Sequence, residues 1–322
     1  MRSTLAVGFA FLVLTAHTAT VGQTLEEGLA FARAGKQHEA KGVYEAILKK
    51  DSKNAEAHYR LGMIFLGQRL RDVDKAVEHM EEAVEINPKE ANYQHGLGAA
   101  YGTEAQSAGV FRQAILAPRV KKAFAKAVEL NPRHIEAHIG LARYYQQAPG
   151  IMGGDMDKAW QEAEIIIGLD EVQGRTFKAS LFEKEKKMPE AENEYKTLLG
   201  NRPADWKAWR VAGFFYLRHQ RTDDAIASFT KYTEMRPDTA DSFTRLAQAH
   251  IQKKDADRAI ALLQKSLTMD RDYWPAVSIL GSAYELKGQK KEALETYQRL
   301  LAANLTEDQR KNVEKKIKEL SN

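Results

Sequence analysis

Two histidines four residues apart, His134 and His138, with Glu136 between them, have the types and spacing that bind zinc from one face of a helix. No third ligand stands at a matching spacing, and His134 falls in a turn beside Asn131-Pro132. His138 is read as a packing residue. Gly150-Ile151-Met152-Gly153-Gly154 has the glycine content of a phosphate loop but lacks the Lys-Ser/Thr pair that follows one. Asp155 and Asp157 would repel an anion there, so the stretch reads as a turn in which Gly153 and Gly154 supply positive φ and Asp155 caps the next helix. Gly35-Lys36 also lacks the glycine spacing and the hydroxyl residue. The chain has no cysteine, which removes disulfides, thiol catalysis and thiolate metal ligands. No Ser-His-Asp grouping or nucleophile elbow is visible. The expectation is a protein without a catalytic residue, bound metal or cofactor.

The elements that must position any site repeat themselves. Ala191, Ala225, Ala259 and Ala293 are spaced by 34 residues, with Tyr195, Phe229, Leu263 and Tyr297 four residues after each. A second small position holds Gly213, Ala247 and Gly281, followed three residues on by Tyr216, His250 and Tyr284. Small and large residues alternating at fixed points are what two antiparallel helices need in order to approach closely and fill the space between repeats. Upstream the same register runs through Gly28, Ala40 and Tyr44; Gly62, Ala76 and Met80; Gly98, Tyr101, Phe124 and Ala127; Ala142, Tyr145 and Ala159; and Ala179, Phe182 and Ala191. The fifth unit departs from it at Lys178, where leucine is usual.

The set Trp209, Ala212, Gly213, Tyr216, Ala225, Phe229 and Pro237 resembles the tetratricopeptide repeat family, with Ala212 in place of the usual leucine. The resemblance covers nearly the whole chain after its first residues. It implies an all-α, right-handed superhelical solenoid of about eight helix pairs plus a C-terminal capping helix. Repeats are expected near 23–54, 55–90, 91–134, 135–171, 172–205, 206–239, 240–273 and 274–305, with the cap at 306–322. In the cap, Thr306 and Gln309 form a capping box ahead of a Val313, Ile317, Leu320 stripe. In this family a concave surface is lined by fixed positions of the first helix of each pair. Here those positions are Tyr59, Met63, Leu66, His95, Ile139, Arg143, Gln146, Arg210, Phe214 and Leu217, the candidate peptide-binding groove.

The repeat is broken at its centre. Equivalent second-helix positions Ala40, Ala76, Val120, Ala159 and Ala191 step by 36, 44, 39 and 32 residues. Residues 102–119 are too apolar for a loop and read as both helices of the third pair lengthened by about a turn and joined near Gly109, with Pro118 starting or kinking the second. Phe111, Ile115 and Leu116 fall on one side of a helix. They are expected to pack on Ile151 and Met152 of the neighbouring turn or, if left open, to form an interaction patch with them. Ala117-Pro118-Arg119-Val120-Lys121-Lys122-Ala123-Phe124 and Ala148-Pro149-Gly150-Ile151-Met152-Gly153-Gly154-Asp155 are similar to a group of exported bacterial tetratricopeptide proteins with the same enlarged centre.

Residues 1–22 read as a signal peptide. Arg2 precedes a short apolar stretch, Leu5–Leu14, and small and polar residues follow, with cleavage expected between Thr18 and Gln23. A periplasmic or secreted protein is expected, with no membrane span after cleavage. The formal charge of +4 comes from interleaved signs without a basic block, so nucleic acid is not an expected partner. The leading function is a non-catalytic scaffold that binds a protein or peptide on the concave surface. The alternatives are a metal-dependent or enzymatic role built on the enlarged centre, and a self-associating structural subunit.

Overall fold

The computed structural model describes residues 24–67, 69–303 and 305–321. The segment read as a signal, 1–22, lies outside the described residues. Every regular element among the described residues is helical. Eight antiparallel pairs follow one another: α1 Leu25–Arg33 and α2 Gln37–Lys50; α3 Ala55–Leu66 and α4 Val73–Ile86; α5 Ala91–Ser107 and α6 Val110–Leu130; α7 Ile135–Gln147 and α8 Met156–Leu169; α9 Glu171–Lys184 and α10 Met188–Asn201; α11 Trp206–Arg218 and α12 Thr222–Met235; α13 Ala240–Gln252 and α14 Ala256–Met269; α15 Trp274–Lys287 and α16 Lys290–Leu300. A last helix, α17 Glu307–Ser321, packs on α16. Each helix packs chiefly on its successor, and first helices also meet, as in α3 with α5 and α5 with α7. The core is therefore a row of neighbouring apolar clusters along a solenoid.

The small-against-large rule of the sequence is visible as steric contact. A Cβ at Gly28 would stand 2.5 Å from the Tyr44 ring, one at Gly213 2.5 Å from Phe229, and one at Gly281 2.6 Å from Tyr297. In each pair the second helix lays its ring on a bare stretch of first-helix backbone. Phe124 serves two glycines, Gly98 on α5 and Gly140 on α7. Helix starts are capped by side chains that accept from backbone N–H groups, among them Asn54, Asp72, Asp155, Asp170 and Asp255. The capping box of α17 is reciprocal. The Thr306 N–H donates to Gln309 Oε1 at 3.0 Å and the Gln309 N–H donates to Thr306 Oγ1 at 3.3 Å.

The departure at Lys178 is compensated by charge. Its ammonium lies 2.7 Å from Glu164 and 3.3 Å from buried Glu194, which also accepts from Arg175 at 2.7 Å. At the start of the same helix, Asn201, Arg175 and Arg202 all donate to Glu171 and hold its carboxyl down to about 2.

The enlarged third pair consists of two long helices, 17 residues in α5 and 21 in α6, with Gly109 as the cap of the second. Pro118 neither starts α6 nor ends it. It sits on the helix's exposed face, and its missing N–H leaves the Ala114 carbonyl without its helical donor. The turn between α7 and α8 contains a 3-10 helix, Gly150–Met152, that packs on α6. Gly153 has φ +91°, as read from the sequence. Gly154 does not take positive φ. It is needed because a Cβ there would lie 1.8 Å from the Ala148 carbonyl oxygen.

Candidate functional site

The lengthened α5 and α6, the first helix α7 and the 148–152 turn enclose a cleft of about 610 Å³. Ala99, Ala117, Val120, Phe124 and Ile139 give it apolar walls, and Met152 with Pro149 closes one side. Thr103, Gln106, Gln113 and Gln147 bring neutral polar groups, while Glu136 and Arg143 bring one charge of each sign. Arg143 is exposed and makes no ion pair among the described residues. The cleft's width follows from small residues. Gly98, Ala99, Gly102 and Ala105 leave the inner face of α5 bare, and around Gly102 a Cβ would meet nothing within 4 Å. The closing turn is fixed by a hydrogen bond from the Tyr144 hydroxyl to the Met152 carbonyl and by the Asp155 N–H donating to the Tyr145 carbonyl at 2.9 Å. A volume of this size with mixed apolar and amide lining suits one or two bulky side chains and the backbone that carries them.

His95 stands at the base of the cleft, with ring centroids 5.0 Å from His134 and 5.8 Å from Phe124. Burial, with the His134 ring as a second cause, pushes its imidazole down to about 4. It therefore faces a ligand uncharged at neutral pH.

Of the ten groove positions, His95, Ile139 and Arg143 meet in the cleft. Gln146 is half-buried, and its neighbour Gln147 is the glutamine that lines the cleft. Tyr59 packs its ring on Tyr93 at 5.1 Å, Met63 is exposed, and Leu66 packs against the neighbouring core. Arg210 and Phe214 belong to a structural knot. Asp241 accepts from Arg210, Tyr232, Arg245 and Tyr273 at 2.8–2.9 Å, and the guanidinium groups of Arg210 and Arg245 lie 5.0 and 5.1 Å from the Phe214 ring centroid. Leu217 is half-buried, and its carbonyl accepts from Gln252. Sequence reasoning missed Gly102, Thr103, Gln106, Gln113 and Gln147. The signal for the first four was the 102–119 insertion, which moves the end of α5 beyond the ordinary register, and Gln147 is the last residue of α7, next to the second insertion.

The five residues expected to pack together are divided by the structure. Leu116 is fully buried in the core, so it cannot belong to a surface patch, and Met152 is half-buried against the same core. Phe111, Ile115 and Ile151 face solvent. The expected packing of Phe111 on Ile151 and Met152 is thus not found. The reason is the phase of α6, in which Leu116, Val120 and Ala123 turn inward and Phe111 and Ile115 turn away. His134 and His138 are occupied structurally. His134 caps α7 through Nδ1, which accepts from the Ala137 N–H at 3.2 Å. His138 places Nδ1 2.6 Å from Glu162 and Nε2 3.0 Å from the Pro132 carbonyl.

Helix pairs stacked in one direction, with a cleft between neighbouring pairs, define a helical-repeat solenoid. Tetratricopeptide repeat models match residues 25–91, 178–240 and 215–273, and a second such model matches 250–317. The chain belongs to the tetratricopeptide repeat family. Mouse superkiller complex protein 3 is 26% identical over 259 residues, 78% of this chain and 16% of its own length. Yeast small glutamine-rich tetratricopeptide repeat-containing protein 2 is 26% identical over 168 residues, 51% of this chain and 46% of its own length. The chain thus spans about a sixth to a half of these curated relatives. A tetratricopeptide repeat protein from Parabacteroides merdae superposes with a TM-score of 0.52 over 92% of this chain and 97% of that one, at 14% identity, a likeness of fold.

Proposed function

We propose that the protein is a non-catalytic scaffold that holds an extended peptide or partner segment on its concave surface, with the α5–α6–α7 cleft as the principal anchor. Solenoids of this family present such extended concave surfaces to other proteins. The observation that carries the reading is the cleft itself, where an uncharged His95, an unpaired Arg143 and a ring of glutamines surround an apolar pocket. Bulky apolar anchors with satisfied polar neighbours are the usual energetic centre of a peptide interface. Binding is proposed to occur in the periplasm or outside the cell, after removal of residues 1–22. This rests on Arg2 and the Leu5–Leu14 stretch, and on the similarity of the enlarged centre to exported bacterial members of the family.

Gly102→Phe tests the reading, because Gly102 lines the cleft and a Cβ there meets nothing within 4 Å, so the substitution puts a ring at the cleft from an open position. Affinity capture from the periplasmic and secreted fractions is expected to recover a partner with the unaltered chain. The variant should bind that partner at least about tenfold more weakly, roughly 1.4 kcal/mol, with an unchanged melting temperature. Equal capture by both chains would move the binding surface away from the cleft. An intact mass that still includes Met1 in the soluble pool would remove the export proposal.

A further inference from the structure

The most exposed large apolar side chains among the described residues belong to the first half of α6 and to the 3-10 turn that packs on it. Val110 is 69% exposed, Phe111 91%, Ile115 52% and Ile151 96%, whereas the others that reach solvent, such as Met269 and Leu286, are scattered and exposed by about 40%. Phe111, Ala114, Ile115, Pro118 and Lys122 fall at offsets 0, 3, 4, 7 and 11 and so share the outer face of α6. The cleft is lined by the other side of the helix, through Gln113, Ala117, Val120 and Phe124. The 3-10 turn that carries Ile151 also packs on α6, with Met152 lining the cleft and Ile151 turned to solvent.

Along α6, up to its last turn, the charges are one-sided. Between Glu104 and Glu129 the chain has Arg112, Arg119, Lys121, Lys122 and Lys126 and no acidic residue. Arg112 is paired with Glu104 and Lys126 with Glu129. Arg119 and Lys121 lie over the Tyr101 and Tyr145 rings, and with Lys122 they make no ion pair among the described residues.

We propose that the outer face of the first half of α6, with the Ile151 turn, docks on an anionic lipid bilayer. Protruding apolar tips bordered by Lys and Arg are the composition of helices that lie in a membrane interface. A protein partner would have to supply a complementary pocket for each of two almost fully exposed side chains, whereas lipid accepts them without shape complementarity. Phe111, Ile115, Val110 and Ile151 enter the headgroup–acyl boundary, and Arg119, Lys121 and Lys122 meet the phosphates. The solenoid is held at a membrane surface with its cleft on the side of α6 away from the lipid face, a role independent of what the cleft binds.

The test is flotation of the full chain with vesicles of phosphatidylcholine alone and of phosphatidylcholine and phosphatidylglycerol at roughly two to one. Every chain compared shares residues 1–23, so differences report the patch. The unaltered chain should favour the anionic vesicles. The double variant Phe111→Asp, Ile151→Asp should partition at least about tenfold less, with the same melting temperature, since neither side chain is buried. Arg119→Glu with Lys122→Glu should lose the preference for anionic vesicles, as should added salt, which screens charges beyond about 10 Å at 0.1 M. Equal flotation of the unaltered and Asp-substituted chains overturns the proposal, and so does equal affinity for neutral and anionic vesicles. A fall in melting temperature in the Asp variant overturns it as well, because the patch would then be core. Flotation retained by the Asp variant while a protein partner is lost reassigns the face to that protein.

Discussion

His95 shows how a single side chain couples the fold to the cleft. An ordinary histidine titrates near 6.5, and in the unfolded chain His95 does so too, but in the fold it stays neutral down to about 4. Between these values the unfolded chain binds a proton that the folded chain refuses. The stabilisation is complete above pH 6.5 and is lost as pH falls to about 4, by something on the order of 3 kcal/mol. Burial lowers His79 and His250 in the same direction. Melting curves at pH 7 and 4.5 should show a clear acid destabilisation in the unaltered chain and a smaller one in His95→Gln, and equal losses would mean that His95 is not the cause. Other residue roles were partly legible. The register places His138 where Trp209 stands, and both donate to the carbonyl six residues back, at 3.0 Å to Pro132 and 2.8 Å to Pro203, as Gln94 does to Pro88 at 3.1 Å. The Asp241 knot was not legible, because its partners Arg210 and Tyr273 lie about thirty residues away on either side, in adjacent repeats.

At the scale of the element, the turn inside each pair has three forms. In the regular repeats it closes with one residue in the left-handed region: Lys186, Gln220, Lys254 and Gly288, spaced like the repeats themselves, and Gly35 at the start. Repeats two and three lack that residue, and Gly67 and Gly109 at their turns are extended, with φ −68°. These turns fall in the steps of 36 and 44, and the step of 39 contains the 3-10 turn of the fourth pair, which ends on left-handed Gly153. The turn at Gly109 lets α5 and α6 run on, and their extra length walls the cleft. Composition revealed the lengthening, since residues 102–119 are too apolar for a loop. Which face each new turn presents depends on helix phase across Pro118, and this is where the expected Phe111 packing failed. The left-handed non-glycine residues are unfavourable by roughly 1 kcal/mol each. Gln220 has φ +58° and an exposed side chain, so Gln220→Gly should stabilise the chain by about 0.5–1 kcal/mol, read from denaturant unfolding. A loss of stability would show that the Gln220 side chain contributes more than its backbone strain removes.

At the scale of the whole molecule, stability is distributed along the solenoid as repeat and neighbour terms, so where the chain is cut should matter more than how much of it is removed. The last three repeats keep the strict 34-residue spacing and, with α17, contain two apolar clusters and most of a third. A fragment starting at residue 204 retains them and should fold as a helical protein. It loses the cover that α9 and α10 give to α11, however. Tyr195 stacks on Phe215 at 4.4 Å, Ala208 packs with Val172 and Leu198, and Glu183 and Glu192 accept from Arg218 and Arg221 at 2.8 Å. A fragment starting at residue 170 keeps all of these contacts and the Glu171 cluster. Uncovering Phe215 and Ala208 removes apolar burial worth a few kcal/mol at about 25 cal/mol per Å². The 170–321 fragment should therefore melt clearly higher than the 204–321 fragment, and both should show helical circular dichroism. Equal melting temperatures would mean that the α10–α11 boundary contributes little. A random-coil spectrum for the longer fragment would show that the C-terminal half depends on the enlarged centre, against nearest-neighbour stability.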